Sequence, residues 1–226
     1  MCIRDRNNTL EFLGIKLNYS DQVFRPTLIS ENCAKLTDFR DKSILDLGCG
    51  IGPLAIYFAK NGAREVSACD IFKKHLEYTK KNARLNEVEI EIFQSDLFSN
   101  VKKKFDVICC DVSGVDKRVA ELTGWFPGEV PKADETGSNL IIKVVEEANK
   151  YLNKSGILNI ATTSFSDVVS IEKKISKNFL NSDVLIKIDV PFSRRLKENI
   201  KLLNEKSYKK INSEYFWEFK LFKCSN

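Results

Sequence analysis

The chain has 226 residues, 43% of them hydrophobic and 30% charged, a composition that suits one folded domain and excludes collagen, coiled coil and disorder. Thirty-six Lys and Arg against 31 Asp and Glu leave a net charge of +5, too small an excess to argue for nucleic acid by itself. No apolar run approaches the ~18 residues of a membrane span, and none at the N-terminus reads as a secretory signal, so the expected location is the cytoplasm. Seven cysteines without a C-x-x-C pair suggest neither a disulfide framework nor a zinc site. With a single histidine, His75, a multi-histidine metal site is excluded and no metal is expected.

The first six residues, MCIRDR, resemble a translated adapter scar and are set apart from the fold. From Leu10 onward short β-rich runs alternate with amphipathic helical stretches, the signature of α/β architecture with a mainly parallel sheet. Residues 7–42 read as an N-terminal strand and helix segment packed on the core, with Thr27 capping a helix to about Leu36. Residues 43–226 read as the main domain. Ser43 to Leu47 is a buried strand ending in glycines, and Pro53 to Lys60 is the helix after it. Glu65 to Cys69 forms the second strand and leads into a helix from about Phe72 to Leu85. Val88 to Phe93 and Phe105 to Cys110 are the third and fourth strands. Asn139 to Leu152 is strongly periodic, with Leu140, Val144, Ala148 and Leu152 on one side and a stop at Lys154-Ser155-Gly156. Strand five is expected at Ile157 to Thr162, a helix at Asp167 to Phe179, and strand six at Val184 to Val190. A helix at Arg195 to Asn204 then precedes a last strand, Tyr215 to Phe222, and these last two strands suit an antiparallel, hairpin-like pair at the sheet edge.

The most informative segment is ILDLGCGIG, residues 44–52. Asp46 stands two before Gly48, and Gly48, Gly50 and Gly52 space a strand-to-helix turn in which the missing Cβ atoms let backbone approach a ligand. Pro53 occupies the place where a dinucleotide fingerprint requires its third glycine. Asp70 ends the second strand 24 residues after Asp46, where a carboxylate can accept two ribose hydroxyls or cap the next helix. Asp96, in QSDLF, follows the third strand, and Asp111-Val112-Ser113-Gly114 follows the fourth.

The glycine segment resembles motif I of class I S-adenosylmethionine-dependent methyltransferases. Val23-Phe24-Arg25-Pro26-Thr27 resembles the V-F/Y-x-P element ahead of that motif in the methyltransferase small-domain group, which includes HemK-like release-factor glutamine N5-methyltransferases and ribosomal-RNA guanine N2-methyltransferases. The resemblance implies S-adenosyl-L-methionine as cofactor, held by Pro26, Thr27, Asp46, Gly48, Cys49, Gly50, Gly52, Asp70, Ile71, Asp96, Leu97 and Asp111. In it Asp46 faces the methionine amino group, Asp70 the ribose, and Asp96 the adenine amino group, with Leu97 or Phe98 packed on the ring. Backbone N–H groups after Thr27 can aim at the cofactor carboxylate. Amino-group methyltransferases carry N-P-P-Y or D-P-P-Y at the fourth strand end. Asp111 falls on its first position, but Val112 and Ser113 replace the prolines and Gly114 replaces the aromatic. Asp111 and the Val112 carbonyl are therefore the candidate catalytic groups, with Ser113, Trp125 and Phe126 as candidate substrate contacts. Residues Gly124 to Asn139 resemble a substrate lid, with Glu135-Thr136-Gly137 where G-x-D-G is expected. His75 is read as a helix residue away from the strand ends, without a catalytic role.

The implied fold is a Rossmann-like, seven-stranded, mainly parallel twisted sheet with helices on both faces and the last strand antiparallel. The implied reaction is methyl transfer to an amide or amino nitrogen of a protein. RNA or a nucleobase, a small molecule, and a catalytically silent cofactor-binding subunit stay open as alternatives. Arg194 to Lys210 carries seven Lys or Arg against two acids, either a solvated face or a phosphate contact. A separate recognition domain ahead of Val23 is not expected, and the state of assembly is left open, a monomer included.

Overall fold

A computed structural model describes residues 8–112, 114–123, 125–126 and 134–226. The adapter-like residues 1–6, Ser113 and the parts of the lid at Gly124 and 127–133 lie outside them. The chain begins with a hairpin, β1 (Asn8–Phe12) and β2 (Ile15–Tyr19), followed by α1 (Leu28–Leu36). The sheet starts at β3 (Ser43–Leu47), whose five residues are all buried, as a central parallel strand covered on both faces requires. Alternation then sorts its side chains: Ile44 joins Val107 and Cys109 under α1 to α3, while Leu45 and Leu47 join Ile108 and Cys110 on the opposite face.

After α2 (Pro53–Lys60), β4 (Glu65–Asp70), α3 (Lys73–Leu85) and β5 (Glu91–Gln94), the chain crosses back to β6 (Phe105–Cys110). It continues through α4 (Lys117–Thr123), α5 (Asn139–Glu147), β7 (Leu152–Thr163), α6 (Val168–Asn178), β8 (Asn181–Pro191), α7 (Arg194–Glu198), β9 (Lys209–Ile211) and β10 (Glu214–Ser225). The strand order is β5-β4-β3-β6-β7-β10-β8, with β9 paired to β10. Strands β3 to β7 pair in parallel and β10 runs antiparallel to both its neighbours. The order reverses between β3 and β6, where Leu47 pairs with Cys110. That crevice is where an open α/β sheet binds its ligand.

Three expectations differ. The short β9 raises the strand count of the main sheet to eight, while β8 and β10 form the expected antiparallel pair at the sheet edge, in the order β7-β10-β8. Leu152 does not close a helix: α5 ends at Glu147, a 3₁₀ turn covers Ala148–Lys150, and Leu152 opens β7 opposite Phe105. The Lys154-Ser155-Gly156 stop signal therefore sits inside a strand, beside a register shift in the β6–β7 ladder. The expected helix from Arg195 to Asn204 is a five-residue helix followed by 3₁₀ turns.

Two asparagines fasten the hairpin to the domain. Asn82 accepts the Asn18 N–H and donates to the Asn18 and Ile51 carbonyls, while Asn86 exchanges the same pair of bonds with Lys16. Four helical residues rise about 6 Å and two strand residues about 6.6 Å, so side chains four apart on α3 meet residues two apart on β2. Gly52 caps α2 with φ +86°, and a Cβ there meets Thr79 Cγ2 at 2.7 Å. Gly52→Ala is expected to lower stability by about 1–3 kcal/mol in urea unfolding, and an unchanged midpoint contradicts this packing.

Candidate functional site at the carboxyl ends of the strands

The loops that leave β3 to β6 enclose a cavity of about 840 Å³, within the ~300–1,000 Å³ range of small-molecule sites. Its wall follows the strand order. Asp96 and Leu97 come after β5, Asp70 and Ile71 after β4, Gly48 and Gly50 after β3, Asp111 and Val112 after β6, and Thr162 and Thr163 from β7. Because β10 is antiparallel, its beginning lies beside the end of β7 and brings Trp217 to the same edge. Strands ~4.8 Å apart thus set out an acidic side, a glycine centre and an aromatic side in line.

The glycine turn is held from behind. Gly48, Gly50 and Gly52 all have positive φ, and a Cβ on Gly48 meets Val112 Cγ1 at 2.6 Å. A Cβ on Gly50 meets nothing within 4 Å, so this backbone faces open cavity. Its N–H donates to Asp70 Oδ2 at 2.9 Å, while Asp70 Oδ1 accepts the Phe72 N–H at 2.9 Å. Asp70 therefore ties the turn to the start of α3 and also lines the cavity.

Asp46 differs from its expected position. It is 1% exposed and accepts the Ala55 N–H at 3.0 Å, turned into the first turn of α2 rather than lining the cavity. Burial pushes its carboxyl up to about 7 against the Ala55 bond, with Asp111 and Asp70 adding to the rise. Cys49 and Gly52 also sit behind the turn, packed against Thr79. His75 is corrected as well: it is buried on the cavity wall, with Nδ1 3.2 Å from Asp70 Oδ1. Of the two candidates for a ring contact, Leu97 reaches the cavity, while Phe98 is buried and stacks on Tyr151 at 4.6 Å.

Asp111 is half-buried at the switch point, and Ser30 donates to its Oδ2 at 2.7 Å. Burial pushes its carboxyl up to about 6, with the Ser30 bond opposing. Pro26 and Thr27 line the cavity ahead of α1. On the aromatic side Phe126 stacks on Phe24 at 5.5 Å, and Trp125 packs at 5.7 Å on Trp217. Ser30, Thr162 and Trp217 were not read as site residues. Ser30 looks like an ordinary first-turn residue, and the alternation around Trp217 marks a strand without saying which end meets the cavity.

The profile of the methyltransferase small domain matches residues 27–111. Over 184 residues the chain is 30% identical to a candidate protein N5-glutamine methyltransferase of Methanocaldococcus jannaschii, covering 81% of this chain and 93% of that one. The chain belongs to the S-adenosylmethionine-dependent methyltransferases of the small-domain group. It is also 30% identical to the release factor glutamine methyltransferase of Streptococcus pneumoniae, over 65% of this chain and 56% of that enzyme's length. A T. thermophilus 16S ribosomal RNA N2 methyltransferase, solved with AdoMet and guanosine, shares the fold at TM-score 0.65 and 16% identity, over 98% of this chain and half of that one.

The residues present suit this methyltransferase cofactor. S-adenosylmethionine carries a cationic sulfonium and ammonium, and two carboxylates, Asp70 and Asp111, line the same cavity as the open backbone at Gly50. Among the described residues no helix is long and apolar enough to cross a membrane, and no cluster of His, Cys, Asp or Glu could hold a metal ion. Asp70→Asn is expected to weaken S-adenosylmethionine and S-adenosylhomocysteine together, by about ten- to a hundredfold in calorimetry. Unchanged affinity contradicts the part given to this carboxylate.

Proposed function

We propose that this methyltransferase acts on the side-chain amide nitrogen of glutamine in a protein. The observation that carries the reading is Asp111, an acid at the switch point that lines the cavity and has one carboxylate oxygen bound by Ser30. An amide nitrogen is a poor nucleophile because its lone pair is delocalised into the carbonyl. Acceptors that bind its N–H groups hold it in the orientation attack requires, and Asp111 with the Val112 carbonyl can supply them. The activity named for the S. pneumoniae enzyme and for the M. jannaschii relative agrees with this acceptor.

In this reading Asp96, Leu97 and Ile71 take the adenine, Asp70 the ribose hydroxyls, and the turn at Gly48 and Gly50 with Pro26 and Thr27 the amino-acid end. Asp46, Cys49 and Gly52 shape that turn from behind. Trp125 and Phe126 receive the acceptor. Residues 43–226 form the catalytic domain and residues 8–42 an extension packed on it. The bound cofactor supplies an activated methyl on a cationic sulfur. The chain's task is alignment of nitrogen, methyl and sulfur, worth ~7–11 kcal/mol in well-positioned systems. As the new N–C bond forms, the C–S pair goes to sulfur and the amide proton leaves to Asp111 or water.

The basic run favours a protein over RNA. Arg194 pairs with Glu198, Lys197 with Glu214, and Lys209 with Asp189, while Arg195 donates to the Thr123 carbonyl. These cations are engaged by the protein itself, which leaves fewer for phosphates.

The proposal is tested by incubation with methyl-labelled S-adenosylmethionine and the protein, RNA and small-molecule fractions of a host lysate. Label is expected in protein, resistant to nuclease and released by acid hydrolysis as methylamine. Nuclease-sensitive label, or none in any fraction, overturns it. Asp111→Ala is expected to lower kcat by about 10²–10³ with cofactor affinity unchanged. Asp111 accepts protons from the amide only when ionised, so wild-type turnover is expected to fall as pH drops through about 6. Asp111→Ala with near-normal turnover, or an acid limb that survives the substitution, contradicts the assignment.

A further inference from the structure

The Ser30 hydroxyl sits between the first turn of α1 and the Asp111 carboxylate. Its Oγ accepts the Thr27 N–H at 3.2 Å, and Thr27 Oγ1 accepts the Ile29 N–H at 3.2 Å, a reciprocal capping box. A hydroxyl has one proton and two acceptor sites. With a backbone N–H already pointing at its oxygen, the proton of Ser30 is left to donate, and Asp111 Oδ2 receives it at 2.7 Å. Ser30 is 3% exposed, so water competes little for that bond. Among the described residues Asp111 Oδ1 has no protein donor. The helix cap thus makes the two oxygens of one carboxylate unequal.

We propose that Ser30 is a positioning residue for methyl transfer: it ties Oδ2 of Asp111 to α1 and leaves Oδ1 to receive the N–H of the acceptor. The division accounts for an acid at this strand end. Aspartate offers one oxygen to Ser30 and one to the acceptor, whereas the single oxygen of an asparagine has to serve both. The other ionisable groups that act on or are acted on by Asp111 are Asp46 on β3, Cys33 on α1 and Cys110 on β6. None is a cation, so the Ser30 hydroxyl is what opposes the effect of burial on this carboxyl. The inference rests on Asp111 as the acceptor's hydrogen-bond partner, and its test includes a measurement that needs no acceptor.

That measurement is a carbon-13 NMR titration of the Asp111 carboxyl in the folded protein. Ser30→Ala is expected to raise its midpoint by about half a unit or more, and Ser30→Thr to restore it. Single-turnover transfer to the protein labelled in the lysate experiment is expected to slow about tenfold in Ser30→Ala, with cofactor affinity unchanged and recovery in Ser30→Thr. The double variant Ser30→Ala with Asp111→Asn is expected to be no slower than Asp111→Asn alone, because losing the hydroxyl frees the amide oxygen. An unshifted titration overturns the tie. Normal transfer in Ser30→Ala, or losses that multiply independently in the double variant, overturns the positioning role. Near-normal transfer in Asp111→Ala instead overturns the reading of Asp111 itself.

Discussion

The site depends on hydrogen bonds from backbone N–H groups to two buried carboxylates. A turn with three glycines at positive φ has little conformational preference of its own and needs an external frame. Asp70 holds the turn through Gly50 and the next helix through Phe72, and Asp46 holds the first turn of α2 through Ala55. The Ala55 bond satisfies a donor that helix geometry leaves unpaired. Asp70 is therefore both a structural member and an acid on the cavity wall. Burial raises the carboxyls of both Asp46 and Asp111, because it disfavours their charged form.

Parallel strands carry this arrangement outward. The crossover between β3 and β6 opens the crevice, and each strand to either side adds one loop to its rim. The acids Asp70 and Asp96 and the aromatics Trp125, Phe126 and Trp217 fall on opposite sides because β4 and β5 lie on one side of the crossover and β6, β7 and β10 on the other. The insertion of β10 matters here, since only an antiparallel strand beside β7 can bring its beginning, with Trp217, to the rim.

Most of the frame was legible because it is written in local pattern. The SILDL run, its glycines, and Asp70 and Asp96 at the next strand ends identify elements whose neighbours in sequence are neighbours in space. What escaped depends on contacts distant along the chain. Asn82 and Asn86 look like polar helix positions until β2 is set beside them, 64 and 70 residues away. His75 reads as an ordinary helix residue because nothing local shows that its turn of α3 folds back on Asp70. The motif fixes Asp46 at the right strand end, but the direction of its carboxylate follows from the unpaired N–H groups of α2. Ser30 and Asp111 are 81 residues apart and meet only in the folded chain.

The central claim is the placement of the transferred methyl between the glycine turn and Asp111. A crystal structure of the protein with S-adenosylhomocysteine measures it directly. The account expects the ribose hydroxyls on Asp70, the adenine beside Asp96 and Leu97, and the sulfur at the β3–β6 crossover with its open side toward Asp111 Oδ1. A sulfur directed away from Asp111, or an adenosine seated on the β7–β10 side, contradicts it.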